Sequence, residues 1–194
     1  MPINASDAES IIRQNADSDF GKFYGSLSIE RGPLGVGMLL KKVRFARFNS
    51  GDNVFDTAEG PGVVLTHECD VDQQNDRAFN QHLIVCPIIL LESFVCTFSN
   101  EQSDQSRLRT FLENLGKNVI SRVMYIPALK NDFLPFGGLL YLNQLSHTHF
   151  GSVSLEQENQ FFSAYGLQCF DHKITNHLLR PKSTSLPLQM PSRD

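Results

Sequence analysis

His67, Glu68, Cys69 and Asp70 follow the apolar run Gly62-Val-Val-Leu-Thr66 without a break, placing an imidazole, a thiol and two carboxylates in four consecutive positions. Such a row can supply a cysteine–histidine nucleophile pair, a general acid and base, or half of a zinc site. If the chain stays extended through Asp70, period two puts Val63, Leu65, His67 and Cys69 on one face and Val64, Thr66, Glu68 and Asp70 on the other. His67 and Cys69 then reach the rim of the core, while Glu68 and Asp70 point outward or to the adjoining loop. The competing reading is structural: cysteine outside a disulfide packs as a small hydrophobe, and Asp70 closes an Asx-turn onto the backbone of Asp72. Packing is favoured for Cys69, because one residue between His and Cys on a strand does not aim the base at the sulfur. Asp70 has the strongest claim to a role, since loop ends carried on rigid strands commonly hold binding groups. Thr66, His67, Glu68, Cys69 and Asp70 are the candidate ligand-binding residues.

Two further constellations could carry chemistry. His147-Thr-His149 sets two imidazoles on one strand face, which can grip a metal if His67, Cys69 or Asp70 lies alongside; without a demonstrated third ligand, strand-end histidines are the simpler reading, and no cofactor is expected. The basic stripe Lys41, Lys42, Arg44 and Arg47 projects Lys42 and Arg44 from one face. With Tyr24 or Phe48 nearby it would make an oligonucleotide groove of the charged-plus-aromatic kind. The acidic balance of the chain favours a solvated, edge-protecting face instead. Cys86, Cys96 and Cys169 sit in apolar surroundings and read as core, and His172 and His177 as structural.

The elements that must position these groups are legible as periods and punctuation. Ser6-Asp-Ala-Glu9 has capping-box form ahead of Ile11 and Ile12, predicting a leading helix. From Met38 to Phe48, Val43 and Phe45 alternate with Lys42, Arg44 and Ala46, the pattern of a half-buried strand. Gly51-Asp52 and Glu59-Gly-Pro-Gly62 read as turns. The apolar runs Val63–Leu65 and Leu83–Val85, within Gly62–Asp70 and His82–Leu90, predict a central hairpin buried on both faces. Leu108, Phe111, Leu112 and Leu115 predict a helix capped by Ser103 and closed by a left-handed Gly116. Strands are expected over Val119–Leu129 and Leu139–Phe150, and a capping box at Ser154-Leu-Glu-Gln157 opens a helix carrying Phe161, Phe162 and Tyr165. A last helix over about 170–180 stops at Pro181.

At 194 residues and 41% hydrophobic the chain can bury one core, so a single domain over 1–182 is expected. Its barrel core covers about 23–150 and its helical part 154–182. The Ser/Pro-rich stretch 183–194 reads as a loose tail. A net charge of −4 argues against a protein coated in nucleic acid. No apolar run reaches the roughly 18 to 20 residues that span a bilayer, and the acidic N-terminus is unlike a signal peptide. A soluble cytoplasmic protein with reduced thiols is the expectation.

Val64-Leu-Thr66 and Ile84-Val-Cys-Pro-Ile88, an apolar-apolar-Thr strand answered by apolar-apolar-x-Pro-apolar, resemble the core hairpin of the PemK/MazF-type SH3-like barrels over about 60–91. Thr66-His-Glu-Cys-Asp70, Met124-Tyr-Ile-Pro127, Gly138 to Leu145 and the segment to Arg180-Pro181 resemble a loosely defined group of uncharacterised bacterial proteins with a Ser/Thr-x-x-Cys-Asp strand end. The resemblance implies an α+β, mainly β fold: an SH3-like barrel with helices at the N-terminus, middle and C-terminus. It also implies ribonuclease chemistry, but the arginine that the toxins carry beside the first-strand proline is missing at Gly60-Pro61. Without that cation the charge of the transition state has no obvious partner. Two functions follow: a non-catalytic binding or adaptor module for a protein or small ligand, preferred, or a ribonuclease-like hydrolase using His67, Glu68 or Asp70. Nucleic acid is an allowed but less favoured partner, a membrane is not expected, and a homodimer is open.

Overall fold

The two continuous apolar runs pair with each other in the middle of an eight-stranded sheet. In this computed structural model, residues 2–25, 34–49, 51–71, 81–101, 104–129, 133–153 and 160–179 are described. The strands are β1 (Tyr24–Gly25), β2 (Met38–Asn49), β3 (Val54–Val64), β4 (His82–Leu90), β5 (Val123–Ile126), β6 (Gly138–Tyr141), β7 (Ser146–His149) and β8 (Gln160–Phe162). Their order is β1-β8-β2-β3-β4-β6-β5, with β7 also on β4. Every pairing among the described residues is antiparallel. Neither central run lies on an edge, because β4 has β3 on one side and β6 and β7 on the other.

Both faces of that centre are covered at Val63, Val64, Val85 and Cys86, which is why the runs do not alternate there. The expected burial on both faces fails at Ile84, which is 50% exposed on the side it shares with His82 and His147. Leu39, Val63, Cys86 and Ile88 join Phe162 and Phe170 in a core under helix α5 (Ala164–Ile174). Their neighbours Leu40, Val64, Leu83 and Val85 face the other way, into a second core with Met38, Val43 and Phe161. A third core lies where α1 (Ala5–Gln14), α3 (Leu91–Glu101) and α4 (Gln105–Gly116) pack over β5 and β6, with Ile12, Leu91, Leu108, Leu112 and Tyr125 inside it. The remaining α-helix among the described residues is the single turn α2 (Glu68–Val71).

The expected SH3-like barrel is not formed among the described residues: the sheet is not closed around the second core. β2 shifts register against β3 between Leu40 and Val43, inserting one residue opposite Pro61. Proline has no N–H to give a ladder, so a bulge there leaves no donor stranded, and it strengthens the local bend. The bend brings β2 toward β7, where the Ala46 N–H donates to Ser146 Oγ at 3.2 Å. That is a side-chain contact where a barrel would have a backbone ladder, and the sheet stays open.

Several expected elements differ in place or kind. The N-terminal box is Asn4 with Asp7, whose side chains accept from each other's backbone N–H at 2.9 and 3.3 Å, two residues ahead of the Ser6–Glu9 pair. Glu59 to Gly62 is strand in place of a turn, paired with β2 and, from Gly62 on, with β4 as well. The β5 strand is only Val123–Ile126, and Val119 is exposed. A tight turn at Leu142–Gln144 splits the expected Leu139–Phe150 strand into β6 and β7. Phe161 and Phe162 belong to β8, and the helix starts after them at the Ser163 cap. Asp104 caps α4, and Gly116 is not its left-handed residue; Asn118 is, at φ 54°. Gly116 is small for another reason: a Cβ there would lie 2.5 Å from Ile12 O of α1. Ser103, Ser154–Gln157 and the 183–194 tail lie outside the described residues.

Candidate functional site

The row Thr66 to Asp70 leaves the sheet earlier than its pattern implies. Leu65 N–H still donates to Ile84 O at 2.8 Å, but the returning Ile84 N–H goes to Thr66 Oγ1 at 2.7 Å. The Thr66 hydroxyl thus takes the place of a backbone acceptor and turns the chain out of the ladder. Beyond it the backbone winds into α2, where Asp70 N–H donates to His67 O at 3.0 Å and Cys69 N–H to His67 Nδ1 at 3.3 Å. Strand alternation therefore does not apply past Leu65. His67, Cys69 and Asp70 are all exposed, so Cys69 is not the core residue the packing reading made it. Glu68 opens the turn. Cys96 is likewise exposed, whereas Cys86 is fully buried and burial pushes its thiol up to about 12.

The histidines assemble on the other flank of β4. Register sets His82 opposite His149 and Ile84 opposite His147, so three imidazoles share one sheet face. The His82 ring centroid lies 5.7 Å from that of His149 and 6.3 Å from that of His147. His149 is held through both nitrogens: Gly151 N–H donates to Nδ1 at 3.0 Å, and Nε2 lies 3.1 Å from Gln81 Oε1. An Nδ1 that accepts the Gly151 N–H leaves Nε2 to donate to Gln81 Oε1. Among the described residues, no three histidine, cysteine, aspartate or glutamate side chains are grouped to hold a metal ion.

His149 also faces the basic stripe. Among the described residues, an open cleft of about 490 Å³ is lined by Lys42, Arg44, Glu59, His149, Gly151 and Ser152. The bulge opposite Pro61 places Lys42 here: it separates buried Leu40 from Lys42, which then joins Arg44 on the outer face. Between the two cations stands Glu59, 2.9 Å from Lys42 Nζ and 3.5 Å from Arg44 Nε. The Lys42 ammonium bonded to it, with the Arg44 guanidinium behind, holds the Glu59 carboxyl below its usual range. Ser152 is no nucleophile in this setting, since its Oγ–H donates to His149 O at 2.7 Å and not to an imidazole nitrogen.

The same face continues up the β2–β3 hairpin. Arg44 lies opposite Glu59, Ala46 opposite Thr57 and Phe48 opposite Phe55. The two phenylalanine rings sit 5.3 Å apart, 50% and 73% exposed. Tyr24, the other aromatic considered for this surface, is turned inward and donates to Pro127 O at 2.6 Å. Phe55, Glu59 and His82 went unnoticed in the sequence, although a hairpin centred on the Gly51-Asp52 turn pairs 48 with 55 and 44 with 59. Comparison with family models, curated proteins and solved structures finds no match to this chain.

Proposed function

We propose that the protein is a non-catalytic binding module whose ligand is a single-stranded nucleic acid lying along the outer face of the β2–β3 hairpin. What carries the reading is one uncovered sheet face with Lys42 and Arg44 at one end and the exposed Phe48–Phe55 ring pair at the other. Arg44 and Phe48 are about 13 Å apart along an extended strand, at roughly 3.3 Å per residue. A strand of a few nucleotides would then give phosphates to the cations while a base stacks on the rings. Between the two ends, the small side chains of Ala46 and Thr57 leave room for the sugar-phosphate chain. Glu59 is a modest obstacle: its ion pairs are exposed, and water screens such pairs. Exchanging the carboxylate for a phosphate is therefore cheap.

The net charge of −4 limits affinity, so binding is weak and salt-sensitive. The likeness of Val64–Thr66 and Ile84–Ile88 to the core hairpin of the PemK/MazF-type SH3-like barrels belongs to the same proposal. Within the cleft a hydrolase would find both His149 nitrogens engaged and the Ser152 proton given to a carbonyl, which favours binding over catalysis at that place.

The test is fluorescence anisotropy with a labelled twelve-nucleotide oligothymidylate. Two or three neutralised phosphates predict a slope of log affinity on log salt of about −1.4 to −2.1. Lys42→Glu with Arg44→Glu should abolish binding, and Phe55→Ala should weaken it by about 1–3 kcal/mol, the value of one stacked base. Affinity that ignores all three changes would overturn the assignment. Shortened oligoribonucleotide on a denaturing gel would favour the hydrolase.

A further inference from the structure

We infer that the strand is seated by its end: a terminal phosphate monoester displaces the Glu59 carboxylate from between Lys42 and Arg44, and the nucleotides that follow run up the hairpin toward Phe48 and Phe55. The inference rests on the nucleic-acid reading and names the part of the ligand that the cleft takes. Glu59 already fills the anion position, 2.9 Å from Lys42 Nζ and 3.5 Å from Arg44 Nε. A carboxylate stands where the phosphate must go.

A tethered carboxylate is a demanding competitor. Glu59 sits on β3 directly opposite Arg44, so it loses no translational freedom in reaching the cations, and the paired strands hold it at high effective concentration. An internal phosphodiester brings one negative charge, the same as the carboxylate, and must also give up its freedom in solution. That exchange gains little. A terminal monoester carries about 1.5 to 2 negative charges at pH 7 and three acceptor oxygens, enough to engage the ammonium and the guanidinium together. Of the phosphates on a strand, the one at its end exceeds Glu59 in charge.

The rest of the lining leaves selection to charge. Gly151 N–H is given to His149 Nδ1, His149 Nε2 lies 3.1 Å from Gln81 Oε1, and the Ser152 proton goes to His149 O. Among the lining residues, Lys42 and Arg44 attract an anion and Glu59 opposes it. The two cationic side chains are 64% and 65% exposed, so an incoming phosphate reaches them without moving the sheet. From there the face leads past Ala46 and Thr57 to the ring pair, where a following base can stack. A free phosphate or a phosphorylated side chain would use the cations and leave those rings bare.

Competition anisotropy tests the idea, with unlabelled twelve-nucleotide oligothymidylates displacing an internally labelled one. The competitors are 5′-phosphorylated, 3′-phosphorylated, or hydroxyl at both ends, with inorganic phosphate alongside. At least one phosphorylated strand should bind about five- to tenfold tighter than the strand without phosphate, as expected for close to one added charge about 4 Å from a cation in water. Lys42→Gln with Arg44→Gln should erase that preference. Glu59→Gln should tighten every strand by about two- to fivefold, the range of an exposed ion pair. Equal affinity for the three strands, a preference that survives loss of both cations, or no tightening in Glu59→Gln overturns the end-seating and leaves the nucleic-acid reading standing. Inorganic phosphate competing as well as the phosphorylated strands, or no binding of any strand, overturns both.

Discussion

At the residue scale, Thr66 shows how a polar side chain ends a strand without leaving a donor unsatisfied. Thr66→Val keeps the shape and removes the acceptor for the exposed Ile84 N–H, so it should cost about 0.5–1.5 kcal/mol, while Thr66→Ser stays near wild type in denaturant melts. Asp70, by contrast, lies on an exposed helical turn and does not line the cleft. Asp70→Asn should leave oligonucleotide affinity within about twofold and stability within about 1 kcal/mol, as for surface changes generally. Lys173 is the one buried lysine among the described residues, its ammonium donating to Asn118 O at 3.2 Å and to the Asn118 side-chain carbonyl. Burial lowers its pKa from 10.5 to about 8. Between those values the unfolded chain binds the extra proton, so this group's contribution to stability rises as pH rises through that window. Buried Tyr24, Tyr125 and Cys86, all pushed up by burial, act in the opposite sense at high pH. The clean measurement is therefore the wild-type stability minus that of Lys173→Met, which should increase by on the order of 2 kcal/mol from pH 7.5 to 10.5.

At the element scale, what the sequence made legible was periodicity, and what it hid was punctuation without turn residues. The 38–48 alternation and the Leu108-to-Leu115 helix were readable because polar and apolar positions repeat at one period. The β4-to-α3 junction was not, because Leu90 runs straight into Leu91 with no Gly, Pro or cap to mark the change of period. The turn at 66–70 is hidden for a related reason: nothing in its residue types shows that the Thr66 hydroxyl replaces a ladder acceptor. Gly116 was seen as special, but its role is close approach of α4 to α1 and not a positive φ. Gly116→Ala should destabilise by about 1–3 kcal/mol through that contact, checked by thermal melting. The same change on the exposed flank of α4 would be neutral or mildly stabilising.

At the scale of the whole molecule, one sheet face does two jobs. Where α5 lies on it, the face is apolar and carries Leu39, Val63, Cys86 and Ile88; past that cover it presents Arg44, Glu59, His82, His147, His149 and the Phe48–Phe55 pair. The composition of the chain averages over both stretches, which is why a net acidic charge concealed a local basic and aromatic surface. No helix among the described residues is long and apolar enough to cross a membrane. The most direct test of the account is a backbone amide NMR titration of the whole chain with the twelve-nucleotide oligothymidylate. The account predicts shifts confined to 42–48, 55–59, 81–84 and 147–152. Shifts concentrated at 66–70, shifts on α1 and α4, or no shifts at saturating oligonucleotide would contradict it.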